Sequence, residues 1–372
     1  MVLLQKRKFP STIYYRLGIL SIIAIAIAVT MHIQTQNPFT YSFLVNSKNQ
    51  SNLAQSIRQT RGTVCIVYLR NSGGRLGNKL FMVASAYGLA RLHSCHLYLT
   101  PAIINEMKLV FIFDLSPVLI STNMLNSIIN NTATPITTTM KSVGCQYIPE
   151  LKRPNAISLG HIFELRGYWQ SYLHFHKHSY ELQNRIFVAK QLVIEKVSKL
   201  FINIYEQQFK FKPQFSLNNH QLFKKQLSES KWTTWIGIHV RRSDFVHLNF
   251  SSSEQYLYFA VKYYRKRYPN ASFIVASDDK RYCKNLFHNQ TNVFITPESF
   301  SEGDDLIALS FCQHSIITGG TFGWWAAYLA NGYVIHDKVY PSGCVRREHY
   351  YPPWFLIDGY VRAYQNSANI LR

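Results

Sequence analysis

In the second half of the chain, short apolar runs alternate with amphipathic stretches. Short apolar runs of the kind that form buried strands lie at 235–240, 272–277, 292–296, 315–318 and 333–337. Amphipathic stretches with helical spacing separate them, at 253–267, 280–288, 303–313 and 322–330. This alternation is typical of a parallel sheet that helices cover on both faces. The second half is therefore predicted to be a doubly wound α/β unit.

The first half carries similar but less regular segments. Strands are predicted at 63–69, 95–100, 157–159 and 162–165, and helices at 78–93 and 180–209. No element is predicted within 105–144, which is rich in Thr, Asn and Ser. The polar segment 210–231 is interpreted as the crossing between two Rossmann-like halves, 61–231 and 232–372, which face a cleft.

The N-terminal 60 residues have a different pattern. An uncharged apolar run at 17–32 follows a basic cluster formed by Lys6, Arg7, Lys8 and Arg16. With its uncharged flanks the run approaches the roughly 20 residues of a bilayer span, and basic residues on one side place that side in the cytosol. We therefore expect a cytoplasmic tail at 1–16, an uncleaved signal-anchor at 17–32 and a polar stem at 33–60. A cleaved signal peptide is the alternative.

The chain is strongly basic, with a formal net charge of +21. Such a charge indicates an acidic partner, which is nucleic acid, an anionic membrane surface or a phosphorylated small molecule. The expected lumenal location disfavours nucleic acid, and no zinc-finger, RNA-binding or helix-turn-helix signature supports it.

Modification sites and cysteines agree with an oxidising lumenal compartment. N-glycosylation sequons occur at Asn49, Asn130, Asn249, Asn270 and Asn289. Six cysteines make disulfides plausible, although Cys65 and Cys95 are equally compatible with buried free thiols. Because no His or Cys cluster has zinc spacing, no structural metal is expected.

The strand predicted at 235–240 ends in a group of charged residues. His239 lies within the strand, and Arg241, Arg242 and Asp244 follow directly. Ligands of open α/β sheets bind at the carboxyl ends of strands, where paired guanidiniums suit a diphosphate. A structural ion pair between arginine and Asp244 is the alternative.

The segment His-Val-Arg-Arg-Ser-Asp-Phe-Val-His at 239–247 resembles the HxRRxD motif of the α1,2-fucosyltransferases, which are inverting enzymes that use GDP-fucose. Two further blocks stand in the order of that family, Gly-Gly-Arg-Leu-Gly-Asn at 73–78 and Thr-Gly-Gly-Thr-Phe-Gly-Trp-Trp at 318–325. The resemblance implies a GT-B fold and a type II Golgi membrane enzyme. It implies transfer of L-fucose to the 2-hydroxyl of a terminal galactose on a glycoprotein or glycolipid. No cofactor or metal is expected, and a homo-oligomer is left open.

The resemblance and the strand ends together give the candidate donor site. Its residues are Arg241, Arg242, Asn78, Gly74, Gly77, Ser277, Asp278, Asp305, Thr318, Thr321, Phe322 and Gly323. Arg241 is expected to contribute more than Arg242. Asp278 is a candidate contact for guanine or a helix N-cap, and Asp305 a donor contact or a residue matched to the helix dipole. The glycines are equally compatible with a tight structural turn.

Candidates for proton transfer and acceptor binding are less sharply defined. His239 is placed in the catalytic group with Arg241, and Asp244 and His247 are candidate bases, although Asp244 is also suited to orient the arginines. Tyr168, Trp169 and Gln170 form a candidate acceptor surface, or else belong to the core. Alternative functions are a fucosyltransferase with another glycan or protein hydroxyl as acceptor, and a membrane-anchored basic lectin.

Overall fold

The structure, a computed structural model, describes residues 64–358 except 71–72, 117, 132–135, 154–155, 158–160 and 338–345. The expected tail, signal-anchor and stem lie outside the described residues. Among the helices that are described, none combines the length and the apolar character needed to cross a bilayer.

The first half is built on a four-stranded parallel sheet in the order β2-β1-β4-β3. The strands are β1 (Ile66–Leu69), β2 (His96–Leu99), β3 (Ile136–Ser142) and β4 (His161–Gly167), and the helices α1 (Leu76–Leu92), α2 (Pro101–Val110) and α3 (Thr122–Asn131). The predictions for 63–69, 78–93, 95–100 and 162–165 are confirmed. Ile157 lies in a bend, so the strand predicted at 157–159 does not begin there.

Segment 105–144, for which nothing was predicted, contains the end of α2 together with α3 and β3. Helix α3 buries Leu125 and packs Met124, Ile128 and Ile129 beside it, so its apolar stripe spans less than two turns within a polar segment. Strand β3 is polar and threonine-rich, and it is held by its parallel register with β4 at the edge of the sheet. Tertiary pairing rather than apolar periodicity defines this strand.

The second half contains a six-stranded parallel sheet in the order β10-β9-β8-β5-β6-β7. Its strands are β5 (Thr234–Val240), β6 (Ala271–Ser277), β7 (Val293–Ile295), β8 (His314–Ile317), β9 (Val334–His336) and β10 (Phe355–Asp358). Its helices are α6 (Ser243–His247), α7 (Glu254–Arg267), α8 (Lys280–Leu286), α9 (Glu302–Ser310), α10 (Thr321–Ala330) and α11 (Arg347–Tyr350). The predicted alternation of strands and helices is confirmed throughout 235–337.

The segment between the sheets differs from its prediction. The helix predicted at 180–209 is interrupted: short helical turns reach Ile186, and α4 (Gln191–Phe209) begins only after Ala189 has formed an isolated bridge with Phe111. The predicted crossing 210–231 contains α5 (His220–Ser228). The Asn219 side chain caps α5, and Phe223 and Leu227 are buried, one helical turn apart.

Helix α4 packs on the second half, although the predicted boundary assigns it to the first. The Phe201 ring lies 4.9 Å from the Trp235 ring of β5, and Lys196 forms an ion pair of 2.6 Å with Asp304 of α9. The two halves also share a core, because Phe81 of α1 contacts Trp324 of α10 at 4.4 Å between ring centroids. Helices α1 and α10 therefore fix the first sheet against the second.

Cysteine pairing resolves one of the open alternatives. Cys65 and Cys95 form a disulfide, and Cys145 is also disulfide-bonded. Cys283 and Cys312 are buried free thiols. The Cys65–Cys95 bridge joins the starts of β1 and β2, which lie beside each other in the first sheet.

Candidate functional site

A cleft of about 820 Å³ opens where the strand order of the second sheet reverses. The chain runs from β5 to β6 and β7 on one side and then returns to β8 on the other side of β5. The connections that follow β5 and β8 leave in opposite directions at this switch point, which is where open α/β sheets bind ligands. The start of α1 and the segment after β4 close the cleft from the first half.

Arg241 is held at this switch point by two carboxylates. Its Nη2 lies 2.6 Å from Asp244 Oδ1, and its Nη1 lies 2.7 Å from Asp278 Oδ2. Its backbone N–H donates to Thr318 Oγ1 at 2.8 Å, which connects the ends of β5 and β8. The Arg241 side chain is only 15% exposed, so the guanidinium is fixed before any ligand arrives.

Asp278 is committed to the arginine loop. Its Oδ1 accepts a hydrogen bond of 2.8 Å from the backbone N–H of Arg242, while Oδ2 pairs with Arg241. The N-cap of α8 is the neighbouring Asp279, which accepts from Tyr282 N at 2.9 Å. Asp278 therefore orients Arg241 and is not the helix N-cap considered from the sequence, while it also lines the cleft, so the predicted donor contact stays a prediction.

Arg242 faces away from the cleft. Its guanidinium lies 3.8 Å above the centroid of the Tyr282 ring, and it is not among the residues that line the cleft. Ser277 does line the cleft, but its hydroxyl donates to Val240 O at 2.7 Å and so ties the ends of β5 and β6 together. Of the two arginines, only Arg241 presents its side chain to a ligand in this cleft.

His239 lies at the floor of the cleft as a neutral imidazole. Burial lowers its pKa to about 4, so at neutral pH the ring is uncharged and a weak base. Its ring packs against Phe322 at 5.2 Å, and a side chain at Gly323 would place a Cβ 2.3 Å from His239 Nδ1. Gly323 therefore makes room for the histidine and does not itself line the cleft.

Asn78 connects the two halves across the cleft. Its Oδ1 accepts hydrogen bonds of 2.9 Å from Gln170 Nε2 and from Thr321 Oγ1. The adjacent Gly77 packs so closely on α10 that a Cβ would lie 2.6 Å from the backbone nitrogen of Phe322. Because the carbonyl oxygen of Asn78 is occupied, its amide nitrogen is the group available to donate to a ligand.

The far end of the cleft carries a buried ion pair. Lys280 Nζ lies 3.0 Å from Asp305 Oδ2 and donates to Pro297 O at 2.7 Å. Burial raises the pKa of Asp305, and the nearby lysine partly counteracts this. The capping box of α9 is formed by Ser301 and Asp304, so Asp305 is not the cap of this helix.

Of the remaining residues predicted from the sequence, some line the cleft and others do not. His247 is exposed and does not line the cleft. Trp169 is fully buried and its indole donates to Arg166 O, so its ring is not available for stacking on a sugar. Tyr168 and Gln170 line the cleft, and Gly74, at φ +86°, packs against Asn78 and Tyr168, where a Cβ would lie 2.9 Å from Asn78 Cβ and 3.1 Å from Tyr168 Cε1.

Several cleft residues were not identified from the sequence. Arg75 lines the cleft, and its Nη1 is 3.9 Å from Asp278 Oδ2. Its position inside the Gly-Gly-Arg-Leu-Gly-Asn block was a usable signal. Lys280 follows the end of β6 closely, and this position was a second signal that the sequence offered. For Leu248 and Phe250, which also line the cleft, the sequence offers no comparable signal.

Comparison with known proteins finds a family match for the C-terminal half of the chain. Residues 201–357 match the model for glycosyl transferase family 11. Galactoside alpha-(1,2)-fucosyltransferase 2 of Pongo pygmaeus is 34% identical over 143 residues, covering 34% of this chain and 42% of that protein. Galactoside 2-alpha-L-fucosyltransferase SEC1 of Bos taurus is 33% identical over 116 residues, covering 29% and 32%. The matched segments thus span less than half the length of these relatives.

Among solved structures, fucosyltransferase NodZ from Bradyrhizobium aligns over 72% of this chain and 93% of that one, with 16% identity and a TM-score of 0.43, a likeness too distant to inform the site. The family match itself contains Arg241, Asp278, Asp305 and the start of α10. The resemblance seen in the sequence is therefore supported by the match of residues 201–357 to the glycosyl transferase family 11 model and by the similarity to galactoside α1,2-fucosyltransferases.

Proposed function

We propose that the chain is a fucosyltransferase with a GT-B arrangement, which moves L-fucose from GDP-fucose, with inversion, to the 2-hydroxyl of a terminal galactose. The observation that carries this proposal is the single fixed guanidinium at the switch point. Arg241 is oriented by two carboxylates and held beside the N-terminus of α10. A guanidinium and a helix N-terminus together favour a bound diphosphate.

The proposed reaction follows from what these groups stabilise. The bond between the fucose anomeric carbon and the diphosphate oxygen breaks, and negative charge develops on the diphosphate. In this proposal Arg241 and the backbone N–H groups at the start of α10, a helix without a side-chain cap, oppose that charge. The acceptor oxygen attacks from the opposite face and loses its proton. In this proposal Asp244, whose side chain is 51% exposed, accepts that proton while also orienting Arg241.

The deciding experiment is incubation of the full-length chain with GDP-fucose and methyl β-galactoside. We expect GDP release together with a fucosylated product, and no product from the 2-deoxy galactoside. Product from the 2-deoxy compound would reassign the linkage. Binding of galactosides without any release of GDP would instead support the lectin alternative.

Transfer is expected to be independent of divalent metal. The motivation is that Arg241 is placed to provide the positive charge that a metal would otherwise supply. Activity in excess EDTA should stay close to that of an untreated sample. A loss that added Mn²⁺ restores would contradict the arginine-only account and would implicate a carboxylate of the cleft.

We propose further that the chain is a type II membrane protein of the Golgi with a lumenal catalytic part. The basic cluster before residue 17 and the downstream sequons support this topology. Asn130, Asn249, Asn270 and Asn289 are exposed, as glycan attachment requires, and Asn49 lies outside the described residues. In a secretory cell, N-glycosidase should lower the apparent mass of a membrane-bound product. An unglycosylated cytosolic product would contradict the topology.

A further inference from the structure

Part of the cleft lining is apolar and exposed. We define this acceptor rim by Val143, Tyr168, Phe245, Leu248 and Phe250, all of which line the cleft. Val143 is 55% exposed, Leu248 56% and Phe250 49%. Single exposed apolar residues are ordinary, but several that gather at the wall of one cavity usually mark a binding surface.

Phe245 and Phe250 of the acceptor rim, whose ring centroids are 6.2 Å apart, and the Lys280–Asp305 pair lie on opposite sides of Arg241. The pair belongs to α8 and α9, on the β6 side of β5. Phe245 lies on the β8 side, because a Cβ at Gly320 would be 3.6 Å from the end of its ring. The Arg241 guanidinium itself is 5.4 Å from the centroid of the Phe245 ring. A diphosphate bound at Arg241 therefore leaves one charged and one apolar side of the cleft.

The chemistry of the acceptor rim favours a flexible apolar group over another sugar ring. A pyranose stacks on flat aromatic faces and needs polar partners around its hydroxyls. Val143 and Leu248 offer branched aliphatic surface without a flat face or a hydrogen-bonding group. Tyr168, beside Asn78 and Gln170, is suited to the galactose ring, and the more exposed aliphatic residues to what the galactose carries.

We propose that the acceptor rim binds an apolar aglycone, so that the preferred acceptor is a galactose attached to a lipid-like group. This inference rests on the proposed function, since it concerns the acceptor of the same reaction. An in-line attack places the acceptor on the side of fucose away from the diphosphate. In this proposal the remainder of that acceptor lies along the acceptor rim, which begins at Phe245 and Phe250 on the side of Arg241 away from the Lys280–Asp305 pair.

The test compares methyl and hexyl β-galactoside, the latter kept below its micelle concentration, with the full-length chain and saturating GDP-fucose. Partial burial of the five additional methylenes should raise kcat/KM for hexyl over methyl galactoside on the order of tenfold. The gain should appear in KM, because the alkyl group is remote from the reacting atoms. Equal values for the two acceptors would overturn the inference while leaving the proposed function intact. No transfer to either acceptor would overturn both.

Matched variants then assign the effect to the acceptor rim. Leu248→Ser and Phe250→Ser should each lower the hexyl-to-methyl ratio of kcat/KM several-fold. Val246→Ser is the control, because Val246 is also exposed and close in sequence but does not line the cleft. The ratio is measured within each preparation, so partly misfolded protein cancels. An unchanged ratio in both rim variants, or an equal fall in the control, would overturn the inference.

Discussion

Replacing Arg241 with alanine should lower kcat for fucose transfer by about 10²–10³, as loss of a single preorganised donor to a developing oxyanion does in other enzymes. The Arg241 side chain is only 15% exposed, and carboxylates hold both of its terminal nitrogens. The guanidinium is therefore preorganised, and alanine leaves no positive charge in its position. Charge on the diphosphate grows as the sugar–oxygen bond breaks, so kcat should fall more than KM rises. Initial rates at saturating GDP-fucose provide the measurement.

Arg242→Ala is the matched control for this substitution. The two side chains are adjacent in sequence, but the Arg242 guanidinium packs on Tyr282 outside the cleft. We expect its replacement to reduce the rate by less than about tenfold, through loss of a stacked cation alone. A thermal unfolding scan should show that both variants fold. A folded Arg241→Ala protein with a rate near wild type, or equal losses in both variants, would remove Arg241 from the diphosphate site.

The position of Arg241 was predictable because the sequence pattern that marks it lies within and directly after one strand. The buried run of β5 ends in charged residues, and all strands of the second sheet are parallel. Their carboxyl ends therefore had to gather at one edge, which brought His239, Ser277 and Thr318 into the same prediction. Side-chain direction was not predictable in this way, so Arg242 was included although it turns to Tyr282.

Contacts between the halves were beyond sequence reasoning for a different physical reason. Thr321 donates to Asn78 across 243 residues of chain. That bond depends on how Phe81 of α1 packs against Trp324 of α10, which no local period reports. The acceptor rim could not be predicted either, because Leu248 and Phe250 lie after α6 and no apolar repeat marks them in the sequence. Residues defined by packing between elements remain hidden until the elements are assembled.

Replacing Lys280 with methionine should destabilise the fold by about 3–5 kcal/mol, since it leaves a buried carboxylate without its counter-charge. The side chains of Lys280 and Asp305 are only 8% and 10% exposed. Burial already raises the pKa of Asp305, and loss of the ammonium raises it further. Protonation removes the uncompensated charge, so the deficit should be small below the pKa of an unfolded aspartate, grow between that pKa and the raised pKa of the folded state, and stay constant above it. Denaturant unfolding at several pH values measures this dependence.

Lys284→Met, on the same helix, is the control for loss of a lysine. Its partner is Glu298, and both side chains are more than half exposed, so no resolvable change in the free energy of unfolding is expected. A deficit in Lys280→Met that does not change with pH would mean that Asp305 is not the source of the instability.

The double variant Lys280→Met/Asp305→Leu separates the structural role of the pair from its role in binding. Apolar side chains of similar size commonly replace a buried ion pair without loss of stability, so the double variant should be more stable than Lys280→Met. Donor binding should not recover with it, because a carboxylate keeps lone pairs free for a ligand even when one lysine is bound, and leucine has none. A recovered fold with a raised KM for GDP-fucose would therefore place the Lys280–Asp305 pair in the donor site. A recovered fold with wild-type KM would show that the pair only supports the wall of the cleft.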